Sequence, residues 1–369
     1  MTPRRSGIAD GLHRLCLRCE RRASSLGREM RTMRYTRFVA AAAIYAAFAV
    51  YLYRPYFKSF SSPRLQDVFV AVAPLACLGC YVLSRRWVAG FAGSFLAGAL
   101  YGFGPYALGL AKFHPTVGLL IAAIPWLFCP AVFGPKGRWR FLRVLLSALP
   151  FLVVVLFFQL AAHFRLYPIP IQLKLHAADV AGLFAPLVAA ERQLTLVGFY
   201  HVPLAGLIVG LFVLVAARRL KIAAILVVPT ILAFYGPVLS VSPLVWLAIT
   251  MLCGSVVVGA GIQALIYAGP ADRKWILAAA IVMGTLAIAT VLPATRSFQT
   301  FAGPGSGHAV LFAHTAKMYV LGVIVTAIFC FIVRVKLRMH LLRLLLLCAP
   351  MILDIFLSAR FLIDRALFP

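Results

Sequence analysis

The sequence predicts an all-α fold, a polytopic bundle of transmembrane helices, and three observations predict it. Of the 369 residues, 63% are hydrophobic and 12% charged, whereas soluble domains carry about a quarter charged residues. The apolar residues come in runs long enough to cross a hydrocarbon core of about 30 Å as helix. The formal charge of +27 punctuates those runs and does not line one face. A basic total of that size invites a nucleic-acid reading, but Lys and Arg held on one side of a membrane give the same total. The expected partner is therefore the lipid bilayer, and no nucleic acid.

Taken in order, residues 1–37 hold ten arginines against Asp10, Glu20 and Glu29, with no apolar stripe. This predicts a basic, disordered cytoplasmic arm lying on anionic lipid. Met30 and Met33 stand just before the first apolar run, so a start there would omit most of the arm. The run Phe38–Tyr53 closes on bulky residues and not on a small-x-small site, so a cleaved signal peptide is not expected. The transmembrane domain, 38–369, then has runs near 38–53, 67–84, 87–111, 116–134, 144–163, 195–217, 222–241, 243–268, 275–293, 318–333 and 344–363. That is about eleven spans. Gly236-Pro237 and Ser242-Pro243 interrupt 222–268, so a division other than 222–241 and 243–268 stays open.

The stretch from Tyr81 to Gly134 organises the rest. Arg85-Arg86 is followed by about 25 nearly uncharged residues, then the break Lys112-Phe113-His114-Pro115, then a second apolar run. A break so short forces an antiparallel hairpin.

With the N-terminus inside, the arm contributes ten basic residues and the internal turns fifteen, leaving eleven of the 36 outside. The positive-inside rule therefore predicts N-in and C-out in the inner (plasma) membrane. The external segments are 54–66, 112–115, 164–194 and 294–317. In 164–194 apolar residues alternate loosely with Lys174, His176, Asp179, Glu191 and Arg192, as in an amphipathic helix on the outer leaflet. Six of the eight cysteines lie inside apolar runs, where a thiol acts as a small hydrophobe. Cys16-Leu-Arg-Cys19, near only His13, falls short of a four-ligand zinc site, and no metal site is expected.

Four places combine residue types that carry chemistry. Tyr101-Gly-Phe-Gly-Pro105-Tyr106 puts two glycines and a proline into a span. This loosens the i→i−4 ladder and frees carbonyls that lipid does not tolerate unless protein or a wet cavity covers them. Tyr106, Lys112 and His114 would sit at the rim of such a pocket; an ordinary proline kink with interfacial aromatics is the other reading. Asp354 falls near the middle of the last span, where a carboxylate is costly unless paired or hydrated. Arg360, six residues on and about 240° round the helix, is a poor intrahelical partner, so Asp354 is read as facing an internal polar cavity or as a hydrogen-bonded packing residue. Asp67 opens the second span and is either an N-cap or a base or metal ligand. The loop around Gly303, Gly305 and Gly307, with Arg296, His308, His314 and Lys317, has the composition of an anion nest for a lipid phosphate, or of a flexible connector.

Residues 81–133 resemble a piece of the GT-C-fold, YfhO-like multi-pass membrane glycosyltransferases. The resemblance runs through Tyr81-Val-Leu-Ser-Arg-Arg86, Gly102-Phe-Gly-Pro-Tyr106 and His114-Pro115. It implies transfer of a sugar from a polyprenyl-phosphate lipid at the external face. Asp67 would then be the catalytic base, or the ligand of a divalent cation. Lys112, His114, Arg296 and His308 would hold phosphate, and Tyr101, Tyr106 and Asp354 would line the pocket. The chain departs from the pattern in its short first external loop, where Asp67 is the only acid, and in ending at Pro369 without an extracytoplasmic domain. A second similarity is to O-antigen ligases and polymerases, whose external Arg and His are echoed by Arg296, His308 and His314. The rival expectation is a transporter or flippase in which Asp354 and the proline-broken helices form a midplane site. A membrane scaffold is the third.

Overall fold

The computed structural model describes residues 30–56, 69–88, 90–113, 115–133, 140–166, 175, 207–211, 220–268, 273–300, 307–334 and 340–367. Within them the chain is an all-helical bundle with no strand; the nearest thing is an isolated bridge from Val238 to Val241. The helices are α1 (Met30–Tyr53), α2 (Phe69–Ser84), α3 (Phe91–Gly102), α4 (Pro105–Phe113), α5 (Pro115–Phe133) and α6 (Arg140–His163). There follow α7 (Leu220–Tyr235), α8 (Pro243–Ile266), α9 (Arg273–Thr300), α10 (Gly307–Arg334) and α11 (His340–Leu367). A helical turn at 207–211 falls within the predicted sixth span. Seven of these helices (α1, α5, α6, α8, α9, α10 and α11) are long and apolar enough to cross a membrane, and shorter apolar segments lie in α2 and α7.

The helices outrun their apolar runs at several ends. Helix α1 begins at Met30, so the last residues of the arm are helical. Helix α9 continues to Thr300 and α10 begins at Gly307, so most of the 294–317 segment expected as a loop is helix. The reason is physical. Hydropathy marks only the part of a helix that sits in hydrocarbon, while backbone hydrogen bonding continues through the interface, where Thr, Ser, Gln and Arg are solvated. The expected span 222–241 ends early, at Tyr235, and a turn at 236–242 with positive φ at Gly236, Leu239 and Ser240 leads to Pro243, where the next helix begins as expected.

Helix α8 is the centre. Its apolar window is 83% buried, against 17% for α6, and it packs against α2, α3, α4, α5, α7 and α11. Helices α3 and α8 meet through glycine. A Cβ on Gly93 would lie 2.5 Å from the Gly259 carbonyl oxygen, and one on Gly259 equally close to that of Gly93. Small residues let backbones approach closely where apolar side chains gain nothing over lipid. Helices α9 and α10 pack chiefly on each other, and α10 meets the rest mainly through α11.

Candidate functional site

The break between α3 and α4 follows from two residues. Pro105 has no N–H to give the Tyr101 carbonyl. Gly104 comes so close to the preceding turn that a Cβ there would lie 2.3 Å from the Leu100 oxygen. Helix α3 therefore stops at Gly102 and α4 starts at Pro105.

The two tyrosines beside the break are anchored. Tyr101 is buried and donates its hydroxyl to the Ile121 carbonyl on α5 at 2.8 Å. Tyr106, also buried, donates to the Leu244 carbonyl in the first turn of α8. Both hydroxyls thus tie the broken helix to its neighbours. A narrow apolar cleft of about 10 Å³, room for about one water-sized group, opens beside them, lined by Tyr53, Val72, Gly102, Ala107, Ala111 and Gly118 among others. Its walls suit aliphatic groups better than a sugar.

Asp354 is fully buried near the middle of α11. The buried face of that helix runs through Arg343, Leu347, Met351, Asp354, Ser358 and Leu362, the three-to-four spacing of a single stripe. The depth of Asp354 can be read from aromatic contacts. The Phe48 ring lies 4.7 Å from Phe103 in the break and 5.9 Å from Phe356 on α11. Asp354 is two residues, about 3 Å of rise, from Phe356. The carboxylate and the helix break therefore share a level in the bundle, and α11 packs on both α3 and α4. From the other side α10 brings Tyr319, fully buried and in electrostatic contact with Asp354.

Of the residues singled out in the sequence, the structure brings together the Tyr101–Tyr106 break and Asp354. Asp67 and His114 lie outside the described residues. Lys112, Arg296 and His308 are described only as helical backbone, near the C-terminus of α4, the C-terminus of α9 and the N-terminus of α10. Arg360 pairs with Asp364, one turn on, at 3.4 Å. The sequence reading passed over Tyr319, Thr315 and Ser358. Their signal was present: Thr315 and Tyr319 are four apart on one helix, as are Asp354 and Ser358 on the next. It also passed over Arg343, which is buried and donates to the Ala268 carbonyl just past the end of α8 at 2.9 Å, a cation placed where a helix dipole favours one.

No family model matches the chain, and neither a curated protein nor a solved structure matches it.

Proposed function

We propose that the chain is a transporter of the inner (plasma) membrane, threaded about eleven times with its N-terminus inside and its C-terminus outside. One observation carries this reading: a fully buried carboxylate, Asp354, level with a break in a facing helix. Ionisable side chains are expensive within a bilayer and mark ion or substrate paths. Interrupted helices at the same depth supply unpaired backbone groups to such a path. The helical turn at 207–211, with Gly210 against Val257, lies where the sixth crossing is expected.

Reachability tests the reading without knowledge of the substrate. Ser358→Cys in a background free of native cysteines is expected to react with small membrane-impermeant thiol reagents. Ala279→Cys, equally buried on α9, is expected to stay silent. A Ser358→Cys protein as silent as the control would mean a sealed core and no transport cycle.

The second reading is a GT-C-like transferase using a polyprenyl-phosphate-linked sugar. The apolar cleft beside Gly102 and Ala111 favours it, because Lys112 follows directly in the chain and puts a cation next in sequence to an apolar surface. Here Asp67, with or without a divalent cation, would act as base, and Lys112, His114, Arg296 and His308 would balance charge on the departing phosphate. Loss of labelled lipid-sugar turnover in Asp67→Asn, with turnover kept in Asp354→Asn, would select this reading over transport.

A further inference from the structure

We propose that the start of α8 binds a monovalent anion, a carboxylate or a halide, through the Ser242 hydroxyl, the Trp246 indole N–H and the Leu244 backbone N–H. This rests on the transport reading, to which it adds the charge class of the substrate or of an accompanying ion, but anion binding has its own readout.

The start of α8 is sunk in the bundle, and two neighbours fix its depth. Tyr106, the second residue of α4, donates to the Leu244 carbonyl, and α4 continues outwards for seven residues more, about 10 Å. On the other side Gln159 donates to the Leu239 carbonyl at 2.8 Å, and the ring of Phe151, halfway along α6, lies 6.1 Å from that of Trp246. Backbone turns at such depth are tolerated where protein or a wet cavity covers them. A helix that starts there points the positive end of its dipole into the interior, where an anionic group is favoured.

Two side chains go beyond an ordinary helix start. Ser242 is the N-cap of α8 and is fully buried. Its extended backbone suits capping, yet its hydroxyl makes no cap bond and has no partner among the described residues. Trp246, one turn on and 2% exposed, has its indole N–H equally without an acceptor among them. Helical side chains lean towards the helix start, so this indole lies over the turn that Ser242 opens. Between the two, Leu244 sits in the first turn, where an N–H has no acceptor within the helix. Elsewhere in the bundle Tyr101, Tyr106 and Trp126 each donate to a carbonyl of another helix. Buried donors are normally paired, and two orphans one turn apart leave a place for an acceptor from outside the chain.

The chemistry selects the ligand. Indole and backbone N–H groups only donate, so the ligand is an acceptor and not a cation. Neutral donors and a helix end worth roughly half a positive charge offset one negative charge. A phosphate dianion would bring a second into an apolar bundle at high cost. The anion would enter when the turn at 236–242, pinned by Gln159 and Tyr106, lifts away from α6 and α4.

The indole N–H reports binding directly. The full chain, labelled with nitrogen-15 tryptophan and purified in detergent with sulfate as the only anion, is titrated with chloride or acetate at constant ionic strength. The Trp246 indole resonance, identified by its loss in Trp246→Phe, is expected to move saturably while those of the other four tryptophans do not. Ser242→Ala should weaken half-saturation roughly tenfold, as for a lost hydrogen bond to a charged group. Saturation by acetate alone would assign the site to a carboxylate, and by chloride alone to a halide. A resonance unmoved by both, or half-saturation unchanged in Ser242→Ala, would overturn the proposal. Should Trp246→Phe fail to fold, the absence of any indole resonance whose saturation differs between wild type and Ser242→Ala would overturn it just as well. Saturable movement in a protein whose Ser358→Cys form stays unlabelled would leave the anion site standing and remove the transport reading alone.

Discussion

Gly93 is where a single atom decides how two helices meet. Its missing Cβ is what lets α3 lie against the Gly259 carbonyl. Gly93→Ala is expected to destabilise the bundle by about 1–3 kcal/mol, the usual cost of overpacking a fitted contact. Gly284→Ala is the control. Nothing lies within 4 Å of a Cβ there, so removing a helix-interior glycine should be neutral or stabilise by up to about 1 kcal/mol. Thermal or denaturant unfolding in detergent checks the pair. At this scale the sequence was half legible. Tyr101 and Tyr106 drew attention for their place beside Gly-Phe-Gly-Pro, and Asp354 for its depth. The partners were not legible, since Ile121, Leu244 and Tyr319 lie 20, 138 and 35 residues away and only packing brings them near.

Among elements, the α3–α4 break is the one that a proline and two glycines wrote plainly into the chain. Pro105→Ala restores an N–H to the Tyr101 carbonyl and removes the ring that collides with it. The two helices should then join, and amide hydrogen exchange at residues 103–106 should slow by an order of magnitude or more, as for backbone moved from a frayed end into a helix interior. Unchanged exchange there would mean that Gly104 and the packing of Tyr101 and Tyr106 hold the break without the proline. Helix ends were less legible than helix centres. The apolar runs located α5, α8 and α11 closely but fell short of the N-terminus of α1 and of the facing ends of α9 and α10, because polar residues at the interface continue a helix without any hydropathy signal.

At the scale of the whole molecule, contacts far apart in sequence sort the helix ends into two sets. Arg37 and Arg85 both act on Tyr81, Gln263 lies against Gly90, and Arg343 meets Ala268. At the opposite end Tyr106 meets Leu244, Gln159 donates to Leu239 at 2.8 Å, and Tyr53 shares a cleft with Ala111 and Gly118. The first set carries the Arg residues that the positive-inside rule assigns to the cytoplasm. A reporter fused after Pro369 is therefore expected to be active outside, and one after Arg86 inside. The reverse pattern would turn the entire bundle over without changing a contact in it. This alternation was legible in the spacing of charges, whereas the identity of the central helix was not. The apolar stretch of α8 has a mean hydropathy no higher than that of α6, and its close approach to α3 depends on glycines whose value lies in what they allow a neighbour to do.

The attachment of α9 and α10 has a mechanical consequence. Two long helices clasped to each other, and joined to the remainder chiefly along α11, make a leaf that can turn about one post while the glycine-welded frame around α8 stays still. Asp354 is mounted on that post, so a small rotation of the leaf would carry Tyr319 away from it and unlatch the interior without breaking a single contact between α3 and α8.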